Sequence, residues 1–254
     1  MSIPAPDFRL DGKTVVVTGA SRGIGAASAL ACAQAGAEAV VLLGRSSDDL
    51  AAVAHRVERC GARAPVAPCD VTSVASIREA FAALARVDVL VNCAGANQPE
   101  PLADVREETF DRLFALNVRG AFFATQAAVD VMRARGAGGA IIMMSSQMGH
   151  VGAALRSVYC ATKHAMEGLT RALAVELAPE GIRVVSVAPT FVRTAMTAAQ
   201  LDDPAVGAQL RAQIPLGRVG TVEEVAGAVV YAASPAAALM TGTSLVLDGG
   251  WTAR

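Results

Sequence analysis

Short runs of aliphatic and β-branched residues recur along this chain, and a longer alanine-rich amphipathic stretch separates each from the next. The runs are Thr14–Thr18, Ala39–Leu43, Ala64–Ala67, Val87–Asn92, Ala140–Ser145, Arg183–Ala188 and Ser244–Leu247. Between them the spacing predicts helices over Ile24–Ala35, Asp48–Cys60, Val74–Ala85, Glu107–Phe114, Ala121–Arg135, Val158–Ala178 and Val222–Ala233. Strands apolar on both faces must be covered on both sides, which calls for parallel strands joined by right-handed helical crossovers. The expected fold class is α/β: one domain over residues 1–254, a doubly wound parallel sheet of about seven strands with helices on both faces. A content of 53% hydrophobic but only 4% aromatic residues suits such a core of Ala, Val, Leu and Ile.

Charge and cysteine usage narrow the function. A net charge of −1 without any basic run leaves no electrostatic footprint for nucleic acid or an anionic membrane. The five cysteines, Cys32, Cys60, Cys69, Cys93 and Cys160, are odd in number and form no C-x-x-C pair. Free thiols in a reducing compartment follow, and the start MSIPAPDFRLDGK lacks the apolar core of a signal peptide, so the expected location is cytoplasmic. Val225 to Leu247 carries no charge and could span a bilayer by length. Ser234-Pro235 and Thr241-Gly242-Thr243 divide it, however, into a buried helix, a turn and a strand. His55 reads as a surface residue and His164 as an ordinary helix residue, and no cluster has ligand spacing, so no metal is expected.

Ligands of such sheets sit beyond the carboxyl ends of the strands. After the first strand comes Thr18-Gly19-Ala20-Ser21-Arg22-Gly23-Ile24-Gly25, opening an alanine-rich helix. Glycines let the backbone approach a pyrophosphate, and the helix N-terminus offers unpaired N–H groups to it. The spacing G-x-x-x-G-x-G departs from G-x-G-x-x-G, so alone it favours nucleotide binding only modestly over a plain strand-to-helix turn. Tyr159 and Lys163 stand four apart on one helix face, and Ser146 lies thirteen residues before Tyr159, directly after a strand. A phenol titrates near ~10, and a neighbouring ammonium or an oxidised nicotinamide lowers that value. So tuned, Tyr159 can exchange a proton with a carbonyl or alcohol oxygen that Ser146 holds. Alone, Y-x-x-x-K describes ordinary helix neighbours; the coincidence of several signals in order gives it weight.

Together these segments resemble the short-chain dehydrogenase/reductase family over essentially the whole length. The matching motifs are TGASRGIG (18–25), Asp70, Asn92-Cys93-Ala94-Gly95, Asn117 in LNVRG, Ser146, YCATK (159–163), APTFVRTAM (188–196) and LVLDGG (245–250). The resemblance implies a Rossmann-like sheet, a nicotinamide cofactor and a homotetramer. It implies cofactor contacts from Gly19, Ser21, Arg22, Gly23, Ile24 and Gly25, an adenine contact from Asp70 beside Val71, and Asn92, Ala94 and Gly95 along the adenosine ribose. It further implies that Lys163 bonds the nicotinamide ribose, that Asn117 holds a relay water, and that Pro189, Val192 and Thr194 line the carboxamide. Two positions depart from the pattern: Cys93 replaces a second asparagine, and Thr190 stands where glycine usually follows the proline.

At the end of the second strand, where an acid would hold the ribose hydroxyls of NAD, the chain has Gly44, then Arg45 and Ser46. With Arg22 nearby these suit a phosphate dianion, so NADP(H) is favoured and NAD(H) remains the alternative. Asp48 and Asp49 more naturally start the following helix. Asn97, Gln147 and His150 bring uncharged polarity to the substrate side, and Arg156 could meet a carboxylate; the same residues could equally bond loop backbone. The reaction read here interconverts a secondary alcohol and a ketone on a small hydroxylated molecule such as a sugar or polyol. Reduction of 3-oxoacyl thioesters on acyl carrier protein or CoA, and nucleotide sensing without chemistry, are the alternatives. Enoyl reductases space tyrosine and lysine more widely. Residues 190–216 are the candidate lid.

Overall fold

The computed structural model describes residues 5–253. Its strands are β1 (Thr14–Thr18), β2 (Ala39–Gly44), β3 (Val66–Pro68), β4 (Val89–Asn92), β5 (Gly139–Met144), β6 (Ile182–Pro189) and β7 (Ser244–Leu247). The helices are α1 (Gly23–Gln34), α2 (Ser47–Glu58), α3 (Val74–Ala82), α4 (Glu107–Phe114), α5 (Gly120–Arg135), α6 (Ser157–Leu177), α7 (Ala198–Asp202), α8 (Pro204–Gln213) and α9 (Val222–Ala233). The strands form one parallel sheet in the order β3-β2-β1-β4-β5-β6-β7.

The twofold period of each strand builds two cores at once. Val15 and Val17 of β1, with Val40, Leu42, Ile142 and Val185, pack beneath α1, α2 and α9. Val16, with Val41, Leu90, Ile141 and Val184, packs beneath α3, α5 and α6. A polar residue at any of these positions would face a helix whichever way it pointed, which is why the strands read as unbroken apolar runs.

Besides α3, which ends at Ala82 instead of Ala85, and β4, which starts at Val89 instead of Val87, three regions differ from the sequence expectation. β3 starts later, at Val66 instead of Ala64, and is short and exposed; Pro65 and Pro68 have no N–H to extend a ladder at this sheet edge. Residues 190–216 are not a bare loop, since they contain α7 and α8, the latter started by Asp203, whose side chain accepts from the N–H groups of Ala205 and Val206, and by Pro204. Between α4 and α5 the chain stays helical through one π turn, Ala115–Arg119, which widens the helix at Asn117. The uncharged stretch after Val225 is divided as expected, into α9, a short turn and β7; among the described residues no helix is long and apolar enough to cross a membrane.

Candidate active site

Chain direction reverses its outward march between β1 and β4, and the crevice at their carboxyl ends collects the glycine loop and the NCAG turn. Thr18 ties the two together: its Oγ1 accepts from Cys93 N at 3.1 Å and Ala94 N at 3.2 Å. The approach leaves no room for side chains. A Cβ on Gly19, whose φ is +67°, would lie 2.8 Å from the Ala94 backbone, and one on Gly25 would lie 2.2 Å from the Gly19 oxygen. Gly23, at φ +57°, faces Thr194 across the crevice, where a Cβ would sit 3.7 Å from its methyl group. The residue before α1, Arg22, supplies no side-chain cap, and the first turn holds no acid, so the N–H groups beside Ser21, Gly23 and Ile24 remain available to an anion. This cradle of backbone fits a dinucleotide pyrophosphate.

Around it the other expected contacts fall into place with some changes. Arg22 and Arg45 are exposed and make no salt bridge within 4.0 Å among the described residues. Ser46 caps α2 by accepting from Asp49 N at 3.3 Å, which leaves its own O–H free to donate. Asp48 and Asp49 occupy the first turn of α2 as expected. Asp70 accepts from Thr72 N and Oγ1 at 3.0 and 2.8 Å, and these bonds hold its carboxyl below the usual range. Val71 is buried, its carbonyl close against Gly120. Asn92 offers the crevice only backbone, because its amide turns inward to donate to Thr125 Oγ1 at 2.9 Å. Thr194 N donates to Thr197 Oγ1 at 3.0 Å, and that hydroxyl donates to Val192 O at 2.6 Å, so Thr197 shapes this loop.

The residues expected to react gather where β5, β6 and α6 converge. Ser146, just past β5, donates to Pro189 O at 3.4 Å and accepts from Met148 N at 3.2 Å, and it lies near enough to Tyr159 to pull its pKa down. Lys163 lies one turn further along α6, with Nζ 5.5 Å from the Tyr159 ring centre and 2.7 Å from Met144 O. Burial pushes the Lys163 ammonium down to about 8, opposed by Cys93 and Glu167. Burial also pushes the Tyr159 phenol up to about 12, with Ser146 and Arg156 pulling the other way. The expected lowering of the phenol is therefore not seen, because desolvation outweighs the charges nearby. The Asn117 side chain is engaged within the protein: Nδ2 donates to Ala96 O at 2.9 Å and Thr162 Oγ1 at 3.1 Å, while Oδ1 accepts from Ala96 N at 2.8 Å. It pins the loop beyond Gly95 to α6.

Of the residues expected at the substrate, Asn97 Oδ1 and both polar atoms of the buried Gln147 have no partner among the described residues. Arg156 stacks over Phe191 at 5.5 Å and donates to Gln200 of α7 at 3.2 Å. His150 points elsewhere, 3.1 Å from Ser244 Oγ and 3.4 Å from Glu167. Sequence reasoning missed Glu167, one turn past Lys163, and the aromatic wall of Phe191 and Trp251, with centroids 5.8 Å apart. Glu167 carried a signal in its i,i+4 distance from Lys163; the wall carried none, since its members lie far apart in the chain. Among the described residues no His, Cys, Asp and Glu group is placed to hold a metal ion.

A doubly wound parallel sheet with a backbone cradle at its switch point, and a serine, tyrosine and lysine beside it, defines a dinucleotide-dependent oxidoreductase. Comparison with known proteins agrees. Residues 19–252 match the family described as Enoyl-(Acyl carrier protein) reductase. D-threitol dehydrogenase of Mycolicibacterium smegmatis is 40% identical over 253 residues, 98% of this chain and 96% of that protein. L-rhamnose 1-dehydrogenase (NAD(P)(+)) of a Sphingomonas species is 36% identical, covering 95% of this chain and 96% of its own length. A gluconate 5-dehydrogenase from Burkholderia cenocepacia, solved with NADP and tartrate, superposes with a TM-score of 0.93 at 34% identity and 98% coverage of both chains. The chain belongs to the short-chain dehydrogenase/reductase family, and it acts on CH–OH groups with NAD or NADP as acceptor.

Proposed function

We propose that this protein interconverts a secondary alcohol and a ketone on a small sugar or polyol, with NADP(H) preferred over NAD(H). The observation that carries the reading is the meeting of Ser146, Tyr159 and Lys163 beside the glycine cradle. Gly19, Ser21, Gly23, Ile24 and Gly25 would hold the pyrophosphate, Asp70 and Val71 the adenine, Ala94 and Gly95 with the Asn92 backbone the ribose, and Pro189, Val192 and Thr194 the carboxamide. Arg22, Arg45 and the free Ser46 O–H would bind a ribose phosphate, and no acid occupies position 44 to repel it. When bound, the nicotinamide supplies the hydride acceptor or donor.

The chain's own residues handle the proton. Ser146 donates to the substrate oxygen and holds it beside the phenol. In reduction the Tyr159 O–H bond breaks and its proton passes to the oxygen of the carbonyl whose carbon receives hydride. In oxidation the alcohol proton returns to the phenolate as hydride leaves carbon. Lys163 supplies positive charge below the ring, and the Asn117 side chain fixes the loop against which it rests. The lost aqueous solvation that raises the phenol makes it a retained acid at neutral pH, suited to reduction; positive charge from an oxidised cofactor would lower it for the reverse reaction.

Gln147 and Asn97 support a hydroxylated substrate, because buried amide atoms without partners are costly until something bonds them. The segment 190–216, with α7 and α8, acts as the lid. A homotetramer would cover the exposed Phe122, Val175 and Leu239, and five unpaired cysteines suit the cytoplasm. The second reading is reduction of a 3-oxoacyl thioester, whose carrier protein the description of the matched family also names, though for a different reaction. A cofactor-linked absorbance screen over sugars, polyols, ketones and 3-oxoacyl thioesters separates the two. Turnover of polyols, lost about a hundredfold to ten-thousandfold in Tyr159→Phe, is expected. Turnover of thioesters alone would replace the polyol reading, and equal kcat/KM with NAD and NADP would remove the cofactor preference.

A further inference from the structure

Among the described residues Arg156 has no counter-ion within 4.0 Å, and it lies beside Tyr159. It precedes the first turn of α6, and its guanidinium is half-buried over the Phe191 ring at 5.5 Å. The partners it has are neutral: Nη1 donates to Ala154 O at 3.3 Å and Nη2 to Gln200 Oε1 at 3.2 Å, while Nε is buried and unpartnered. Burial lowers its affinity for a proton, and among the described residues no carboxylate opposes that effect. A positive charge at the start of a helix also meets the unfavourable end of the helix dipole. The preceding residue, Leu155, holds φ at +63°, the only non-glycine among the described residues with a positive value, and its carbonyl accepts from Glu100 N at 2.8 Å. Three separate costs thus place one guanidinium beside Tyr159, against the lid.

We infer that Arg156 binds a substrate carboxylate, so that the preferred substrates are polyhydroxy acids over uncharged polyols. This rests on the alcohol–ketone reading above and names its substrate class. The unpartnered Nε–H is a donor that a carboxylate can accept, and one positive charge balances a monoanion better than a phosphate dianion. Gln200 on α7, bonded to Nη2, would couple lid position to the guanidinium.

The test uses the full chain with matched four-, five- and six-carbon aldonates, alditols and alditol phosphates. Wild type should favour at least one aldonate over its alditol by about tenfold in kcat/KM. Arg156→Gln should lower the aldonate value about tenfold to a hundredfold more than the alditol value, mainly through KM. Arg156→Lys should recover part of the loss by keeping the charge. Calorimetric binding to NADPH-loaded Tyr159→Phe, with and without Arg156→Gln, reads the anion site apart from turnover. Aldonate binding that requires Arg156 without turnover upholds the inference and sinks the reaction reading. Polyol turnover with equal Arg156→Gln losses on both classes, or a preference for phosphates, overturns the inference and leaves the reaction reading standing.

Discussion

Behind Lys163 lies a buried carboxylate whose partners are almost all hydroxyls. Both oxygens of Glu167 lie 3.0 Å from Ser186 Oγ, one lies 3.4 Å from Ser244 Oγ, and His150 approaches from the less buried side. Its charge favours the Lys163 ammonium, which burial alone would shift further down from about 8. Glu167→Gln should therefore move the alkaline limb of the pH–rate profile to lower pH, with Glu167→Asp restoring part of it. A merely structural role would lower kcat at every pH without moving the limb. Tyr159 gives a second pH prediction. Its phenol, held up near 12, keeps its proton through neutrality, so the reduction rate should be flat there while oxidation climbs with pH. Profiles measured in both directions check this, and an oxidation rate that is flat between pH 6 and 9 (roughly the range where a perturbed phenol would respond) would refute it. His150 was expected at the substrate because it follows Gln147 closely; the turn Gln147–Gly149 swings it toward β7 instead. Sequence neighbours within a turn can face opposite ways, and only the backbone path tells which.

At the scale of elements, the start of α1 and the start of α9 show two ways to begin a helix. Thr221 and Glu224 form a reciprocal capping box, with Thr221 N donating to Glu224 at 2.9 Å and Glu224 N to Thr221 Oγ1 at 3.3 Å. Helix α1 leaves its first N–H groups bare beside Gly19 and Gly23. Capping serves stability and bare N–H groups serve an anion, so the two should separate on mutation. Thr221→Ala should cost about 1 kcal/mol and roughly 2–4 °C in Tm without changing the cofactor KM. Gly19→Ala forces a Cβ to within 2.8 Å of the Ala94 backbone at a left-handed φ, and should lower both Tm and cofactor affinity. Thermal melts with and without NADPH distinguish the outcomes; a Gly19→Ala protein with wild-type cofactor affinity would show that the cradle is not the phosphate site.

Across the whole molecule, stability and chemistry occupy opposite edges of the sheet. Asp88 sits at the amino edge, at the start of β4, and accepts from Thr14 N at 2.7 Å, Arg86 Nε at 2.6 Å and Arg135 Nη1 at 2.9 Å. Burial pushes its carboxyl up, yet these donors together hold it below the usual value. A carboxyl with a depressed folded pKa adds stability above its unfolded value and loses it as pH falls through the folded value. The urea midpoint should therefore drop on acidification below about pH 4, and Asp88→Asn should flatten that drop while leaving KM values unchanged. A wild-type midpoint independent of pH in this range would dismiss the cluster as an acid-sensitive brace.

Periodicity, which depends only on which residues are apolar, determined the sheet class, most helix positions and the edge where ligands bind. Local chemistry in the chain also marked the cradle and the Ser146, Tyr159 and Lys163 set, because those groups must lie directly after a strand or one helical turn apart. Tertiary packing alone decided what surrounds them: the burial that lifts the Tyr159 phenol, the π turn that aims Asn117 at Ala96, and the Phe191 ring that receives Arg156. Desolvation and orientation are properties of the assembled neighbourhood, set by residues distant in sequence, so no local pattern encodes them.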